Sequence, residues 1–220
     1  MQFLDSSLPI ATCKATDCAG CGVADSVQCH FRPGDLIHFY LIAIPPFLLA
    51  GAGILSAGLM PLLIWIGICV SFFGFIEIRV MCSHCPHYAE EGTSLRCWAN
   101  YGSLKLWKYR PGPMSMAENI VFFTGFVAVF GYPLGFFVAG GLWFLLGVYF
   151  LLTASFFVTL KRFLCSRCMN FACPLNGVAE PVRQLFWERN PKVKEAWNTV
   201  PEGRSRSQLE WGSDLERNGQ

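Results

Sequence analysis

The sequence predicts an all-α integral membrane protein with four transmembrane helices arranged as two hairpins, joined by small cysteine-rich cytosolic segments. Of its 220 residues, 53% are hydrophobic and only 15% are charged, whereas roughly a quarter of an average soluble domain is charged. The charged residues also leave two long stretches free, because residues 36–76 and 119–160 contain no Asp, Glu, Lys or Arg. A soluble helix does not stay free of charge for so long, since one of its faces must meet water.

Each charge-free stretch is long enough for two membrane crossings, because a helix needs about 20 apolar residues to span the hydrocarbon core. Turn signals divide both stretches, at residues 57–61 and at the glycine pair 140–141. We therefore predict helices over 36–58, 61–80, 119–139 and 142–161. Ser115 and Glu118 match the capping-box pattern, which predicts the start of the third helix. The alternative is two buried helical hairpins of a soluble protein, each of which would lack a polar face.

The distribution of basic residues predicts the orientation of the chain. All 17 Lys and Arg lie in residues 1–35, 77–118 or 161–220, and the turns within the two hairpins carry none. The positive-inside rule places those three segments, and both termini, on the cytosolic side of the cell membrane. No N-terminal apolar signal segment is found, so the first span is expected to insert uncleaved. The expected organisation is a cytosolic N-terminal segment (1–35), a first hairpin (36–80), a cytosolic loop (81–118), a second hairpin (119–161) and a cytosolic knuckle with a soluble tail (162–220).

Two segments share the pattern Arg-x-x-Cys-Ser-x-Cys-x-x-aromatic, at residues 79–88 and 162–171. The offset is 83 residues, and each segment follows a predicted hairpin. The pattern predicts an internal repeat of two spans followed by a cysteine knuckle, and parallel repeats are related by an axis along the membrane normal. Chance similarity of two short motifs is the alternative. Below, Cys82 with Cys85 is called the first knuckle, and Cys165 with Cys168 is called the second knuckle.

Cysteine usage predicts metal binding. Of the 11 cysteines, all except Cys69 fall on the predicted cytosolic side, where reducing conditions disfavour permanent disulfides. Closely spaced thiolates in such a compartment are typical ligands of zinc and of iron–sulfur clusters. The candidate ligands are Cys13, Cys18, Cys21 and Cys29 in the N-terminal segment, Cys82, Cys85 and Cys97 in the loop, and Cys165, Cys168 and Cys173 after the fourth span.

The spacing leaves the metal undecided between zinc and iron–sulfur. The first three cysteines have the C-x₄-C-x₂-C spacing that resembles plant-type [2Fe–2S] sites, and a four-cysteine zinc site fits equally well. The four knuckle thiolates could close one tetrahedral site that joins the hairpins, or each knuckle could form its own site with Cys97 or Cys173. A catalytic dithiol is a third interpretation, although the usual thioredoxin-like context is missing.

Two further features predict how the spans behave in the membrane. Gly131, Gly135 and Ala139 in the third span, like Gly53 and Ala57 in the first, recur every four residues. Such stripes predict close helix packing, within one chain or in a dimer. Ionisable residues within the spans are few, which disfavours an ion pump. The exception, Glu77, is expected to reach headgroup water or to pair with Arg79. The aromatic and basic stretch 98–112 is expected to contact lipid.

The predicted function is electron transfer through cytosol-facing iron–sulfur sites. The alternatives are a membrane-anchored assembly or interaction protein with structural zinc, and a membrane protein for thiol redox chemistry or metal handling. The sequence has no P-loop, G-x-S-x-G or H-E-x-x-H motif, so no catalytic activity of its own is expected. The expected partners are the lipid bilayer and a redox partner or larger membrane complex. A net charge of only +2 does not predict nucleic-acid binding.

Overall fold

The computed structural model of the chain describes residues 20–24, 26–90 and 92–198, and these residues form helices and loops without a β-strand. Four helices are long and apolar enough to cross a membrane, and only 11–22% of the residues in their most apolar windows are buried inside the protein. The remaining apolar side chains face outward, as they do when the surrounding solvent is lipid. The four spans are Pro33–Leu55, Leu59–His84, Met116–Ala139 and Trp143–Arg167.

The first span is helix α1 (Pro33–Leu55), which begins and ends about three residues earlier than predicted. It begins at Pro33 because the fixed φ of proline suits the first turn of a helix, where no N–H is needed. It ends because Gly58 turns the chain at a φ of +123°, a conformation that side chains disfavour. The turn is closed by the Ser56 hydroxyl, which donates to the Gly53 carbonyl at 2.7 Å.

The second and fourth spans each change to a π-helical turn near their C-terminal end. Helix α2 (Leu59–Ser71) continues through a π turn at Phe72–Ile76 into the short helix α3 (Glu77–Val80). Helix α5 (Trp143–Thr159) continues into a π turn at Leu160–Leu164. The α- and π-helical part of the second span ends at Val80, as predicted, and that of the fourth span ends at Leu164, three residues beyond the prediction. Both spans then finish in the 3₁₀ turn of a knuckle. Such π turns often lie at functional sites. The π turn of the fourth span directly precedes the second knuckle, whereas α3 separates the π turn of the second span from the first knuckle.

The third span is helix α4 (Met116–Ala139), and the predicted capping box is present at its start. The Ser115 hydroxyl accepts from the Glu118 N–H at 3.3 Å, and the Glu118 carboxylate accepts from the Ser115 N–H at 2.8 Å. The helix therefore begins at Met116, three residues before the predicted start. Two short helices of the tail, α6 (Glu180–Arg189) and α7 (Pro191–Asn198), pack against each other beyond the second knuckle.

Helices α1 and α4 pack side by side and run in the same direction. The rings of Phe47 and Phe130 lie 5.5 Å apart, and two turns further along, Gly53 meets the ring of Phe137 so closely that a Cβ atom would overlap it. The small-residue prediction is therefore correct for Gly53. At Gly135 a Cβ would meet nothing within 4 Å, so this residue makes no close helix contact within the chain, and the dimer alternative stays a prediction.

A hydrogen bond between α2 and α4 compensates for a proline in the membrane. Pro133 has no N–H, so the carbonyl of Val129, one turn earlier, loses its helical donor. The indole N–H of Trp65 donates to that carbonyl at 2.9 Å. An unpartnered carbonyl is costly in a bilayer, where water cannot replace the missing donor, so Trp65 stabilises the kinked helix at the position where proline weakens it.

Trp65→Phe is expected to lower the free energy of unfolding by about 1–2 kcal/mol, because it removes this bond and some packing. In the Pro133→Ala background the same substitution should cost less, since the restored N–H of residue 133 satisfies the Val129 carbonyl. Unfolding of all four variants in one detergent measures this coupling. If Trp65→Phe lowered the free energy of unfolding equally in both backgrounds, the coupling would be contradicted. Trp143→Phe, at an exposed position, is the matched control.

Candidate functional site

The two knuckles adopt the same local backbone. Each begins with a single 3₁₀ turn, at Cys82–His84 and at Cys165–Arg167. The N–H of Cys85 donates to the carbonyl of Cys82 at 2.9 Å, and the N–H of Cys168 donates to the carbonyl of Cys165 at 3.3 Å. The x₂ spacing thus folds both cysteines of each knuckle into one tight turn at the end of a membrane span.

The serine between the cysteines has the same role in both knuckles. The Ser83 hydroxyl donates to the carbonyl of Arg79, and the Ser166 hydroxyl donates to the carbonyl of Arg162, both at 2.7 Å. Each bond satisfies a carbonyl in the last turn of the preceding helix, where helical N–H donors run out. The shared Cys-Ser pattern therefore has a structural reason: the serine ends the helix and fixes the start of the knuckle.

Both knuckles line a single cavity of about 340 Å³, together with the two remaining cysteines of their segments. We call it the cysteine cavity. It lies at the end of the bundle where the second and fourth spans finish. The six cysteines that line it are Cys82, Cys85, Cys97, Cys165, Cys168 and Cys173.

Burial and mutual proximity keep these thiols neutral when nothing is bound among them. Burial raises the pKa of Cys97 and of Cys168 to about 12 and holds the pKa of Cys85 and of Cys173 well above its usual range. The Cys168 thiol adds to the upward shift of the pKa of Cys85, Cys97 and Cys173, so thiols of both segments lie within electrostatic reach of each other. A bound metal cation would reverse this preference and favour the thiolates.

The cysteines surround a space instead of meeting at one point. Among the residues that the structure describes, no three His, Cys, Asp or Glu side chains are placed to hold a single metal ion together. The four knuckle cysteines line the cavity jointly with Cys97 and Cys173. The choice between one site shared by the knuckles and two separate sites stays a prediction.

Asn100 holds two of the six sulfur atoms in place. Its side-chain amide donates to the sulfur of Cys82 at 3.3 Å, and its backbone N–H donates to the sulfur of Cys97 at 3.2 Å. The same side chain hydrogen-bonds the carboxyl of Glu77. Donors of this kind stabilise negative charge on sulfur and orient a ligand. No sequence pattern points to Asn100, because its role depends on how the loop folds back over the first knuckle.

Glu77 lies in a different environment from the one predicted. Its side chain is only 7% exposed and lines the cysteine cavity, and its Oε2 has no hydrogen-bond partner. Arg79, its expected partner, lies 3.7 Å from the carboxylate of Glu118, which also pairs with Arg110 at 2.6 Å. The prediction of a headgroup contact or an Arg79 pair is therefore wrong: a helix directs residues two apart to different faces.

The loop after the first knuckle folds over the cavity. The hydroxyl of Tyr88 donates to the carbonyl of Trp107 at 2.7 Å and accepts from the Trp107 N–H at 2.8 Å. Trp98 is buried and lines the cavity, and Tyr109 is buried as well. The prediction that stretch 98–112 contacts lipid is thus wrong for Trp98 and Tyr109, which are buried in the folded loop. Tyr101 is exposed.

Of the N-terminal candidates, Cys21 and Cys29 do not line this cavity. Cys13 and Cys18 lie outside the described residues. Cys21 and Cys29 pack against a separate apolar cluster that the tail forms beyond the second knuckle, and a guanidinium nitrogen of Arg189 donates to the sulfur of Cys21 at 3.0 Å. The structure therefore separates Cys21 and Cys29 from the six cavity cysteines.

The residues that line the cavity are spaced along the chain in a regular way. Eight pairs of them are separated by 83 residues, the offset of the two knuckle motifs. Three of the pairs are phenylalanines and two are cysteines. The pairs are 39/122, 43/126, 47/130, 73/156, 77/160, 82/165, 85/168 and 87/170.

Neither a protein-family model, nor a curated protein, nor a solved structure matches this chain.

Proposed function

We propose that this chain is a membrane-embedded electron-transfer protein that holds an iron–sulfur cofactor in the cysteine cavity. The observation that carries the proposal is that two distant cysteine segments line one cavity. The two knuckles supply the ligands Cys82, Cys85, Cys165 and Cys168, because an ordinary cluster takes four thiolates and these four occupy equivalent positions. Cys97 and Cys173 complete the thiol lining.

The shape of the cavity favours an iron–sulfur cofactor over structural zinc. A zinc ion holds its sulfur ligands about 2.3 Å away in a closed tetrahedron, which leaves no open volume between them. The cavity of about 340 Å³ extends from the six thiols into the helical bundle. Thiols that border such an open space fit a cofactor of several atoms better than a single ion.

The two halves of the chain are duplicated units related by an axis that passes through the cavity along the membrane normal. The eight cavity pairs at one offset support this arrangement, as do the parallel course of α1 and α4 and the contact between the equivalent Phe47 and Phe130. Each unit is a helical hairpin followed by a knuckle. A cofactor on such an axis receives the same ligands from both units, as occurs in parallel-repeat membrane proteins with a central site.

The cavity lies on the cytosolic side of the cell membrane, with both termini on that side. The distribution of Lys and Arg supports this orientation. A cytosolic redox partner can then reach the cofactor from the loop side, and a membrane partner can reach it from the bilayer. The absence of a recognisable catalytic motif in the sequence favours electron relay over catalysis by the chain alone.

The cofactor, when bound, supplies one-electron transfer, and the chain sets the conditions for it. Asn100 donates hydrogen bonds toward the sulfur atoms of Cys82 and Cys97, which favours the more negative, reduced state. Burial opposes that state by excluding water. Hydrogen bonding to sulfur and burial together set the reduction potential of a cluster. Both knuckles follow the last helical turn of their spans, and their thiols line the same cavity.

A redox titration of the protein purified without oxygen tests the proposal. We expect broad visible absorption that bleaches on reduction with dithionite and returns on reoxidation. Cys69→Ser is the matched control and should retain this behaviour, because Cys69 lies in the membrane away from the cavity lining. A purified, folded protein with no reversible absorption change would contradict electron transfer.

A further inference from the structure

The cysteine cavity continues into the membrane half of the bundle as an aromatic arm. Its walls come from all four spans, and along α1 the lining residues run from Phe39 to Phe47. Eight residues of helix cover about 12 Å. The whole cavity falls in the size range of small-ligand sites. The arm is defined by Phe39, Phe47, Phe73, Phe122, Phe130 and Phe156.

The wall of the arm at α1 is also part of the outer, lipid-facing surface. Tyr40 and Ile44 line the cavity, yet they are 45% and 48% exposed on the outside of the bundle. Both lie within the first candidate span. A ligand that enters beside them must come from the bilayer, so the arm selects for a lipid-soluble molecule.

Two buried polar groups along the same cavity have free hydrogen-bonding capacity. Glu77 and Asn170 are 7% and 5% exposed, and Glu77 Oε2 and Asn170 Oδ1 have no hydrogen-bond partner. Along the chain, Glu77 stands between Phe73 of the arm and Cys82 of the first knuckle, so it marks the boundary between the arm and the thiols. Buried polar atoms without partners are rare in proteins and call for an explanation.

We propose that the aromatic arm binds the head group of a lipid-soluble quinone next to the iron–sulfur cofactor. The quinone's role as a redox partner rests on the proposed function. Reduction of a quinone takes two electrons and two protons and converts its two carbonyls into hydroxyls. The cofactor passes the electrons singly from a one-electron donor protein in the cytosol, and the protons come from cytosolic water.

The chemistry of the arm fits a quinone better than a lipid acyl chain. Phenylalanine rings pack against a flat ring in offset-stacked or edge-to-face contacts. The hydroxyls of the quinol can donate to the unpartnered Oε2 of Glu77 and to Asn170 Oδ1. An acyl chain would leave both polar atoms without partners. The two repeats differ at this point, because the position equivalent to Glu77 is Leu160. A bound quinone would therefore meet a polar side chain on one side only.

Photolabelling with an azidoquinone, on the purified holoprotein in lipid nanodiscs, tests the proposal. We expect the label on peptides that contain residues 39–47 and 122–130, and we expect excess short-chain quinone to prevent it. Excess palmitate should not. Absence of specific labelling, or equal competition by palmitate, would overturn the quinone site, and the second outcome would assign the arm to an acyl chain.

A variant series locates the polar contact. Glu77→Leu, which places the residue of the equivalent position 160 there, removes the polar contact and is expected to weaken quinone binding about tenfold. Binding is measured as the concentration of short-chain quinone that halves the labelling. Glu180→Gln, on a charged helix of the tail, should leave it unchanged. Equal binding by both variants would overturn the role of Glu77. The labelled positions in the unchanged chain test the site even if Glu77→Leu does not fold.

Iron content and reversible bleaching of the same sample separate the two proposals. Specific quinone labelling of a protein without iron would refute the iron–sulfur function and retain the quinone site. An iron-containing, reversibly bleaching protein without labelling would refute the quinone site alone.

Discussion

Cys82→Ser and Cys165→Ser are each expected to abolish the visible absorption of the anaerobically purified protein and to remove the same amount of iron. The two residues lie 83 positions apart in different segments, but both line the one cysteine cavity. A cluster that takes two thiolates from each knuckle loses a ligand in either variant. Serine keeps the shape of the side chain but is a poorer ligand for iron, since iron–sulfur clusters bind through thiolates.

The remaining cysteines provide matched controls for this result. Cys97→Ser and Cys173→Ser are expected to retain the cofactor, because these thiols complete the lining without being ligands, and Cys69→Ser should behave as the unchanged protein. Iron analysis and absorption spectra of the five variants make the comparison. If Cys82→Ser and Cys165→Ser each lost a separate, partial share of the iron, the knuckles would belong to two sites.

Gly125→Ala is expected to destabilise the bundle by about 1–3 kcal/mol, the usual cost of overpacking a well-packed core. A Cβ atom at Gly125 would overlap the ring of Phe72, which is 2% exposed. Phe72 opens the π turn of the second span, and the rings of Phe73 and Phe126 pack against it. The ring therefore has little room to move away, so the helices must separate or the aromatic packing must shift.

Gly135→Ala in the same helix is the matched control. A Cβ there meets nothing within 4 Å, and alanine favours a helix over glycine by about 1 kcal/mol. We therefore expect Gly135→Ala to leave the melting temperature unchanged or to raise it. The double variant Gly125→Ala with Phe72→Leu should recover part of the lost stability. Equal melting temperatures of the two single glycine variants would contradict the close contact.

The membrane spans were predictable because lipid imposes a simple rule on the sequence. A stretch without charge from residue 36 to residue 76 is too long for a soluble helix, and turn signals at Gly58 and Gly140 divide the stretches correctly. The boundaries differ by up to three residues, because capping at Ser115 and the π turn after Thr159 depend on local hydrogen bonds. Hydropathy therefore predicts the four helices, whereas their exact ends depend on side-chain and backbone contacts.

The candidate site was predictable only in part. The spacing of Cys82, Cys85, Cys165 and Cys168 predicts knuckles, and the structure gathers them at one cavity together with Cys97 and Cys173. The volume of a cavity depends on how distant segments pack, which spacing does not show, so the spacing favours zinc and iron–sulfur equally.

The environment of Glu77 was not predictable from its position near the end of a span. Whether such a residue reaches water depends on the loop that covers it, and here Asn100 and Trp98 fold over from the following segment. One further signal is present in the amino-acid sequence. Phe39, Phe47 and Phe73 have phenylalanines 83 residues further along, so extending the knuckle offset into the spans picks out the six rings of the aromatic arm.

The iron and acid-labile sulfide content of the anaerobically purified chain tests the central claim most directly. A cluster held by both knuckles predicts iron and inorganic sulfide in nearly equal amounts, in a fixed ratio to the chain, and both lost together in Cys165→Ser. A colourless protein with stoichiometric zinc and no inorganic sulfide would contradict it, and would make the paired knuckles a structural clamp.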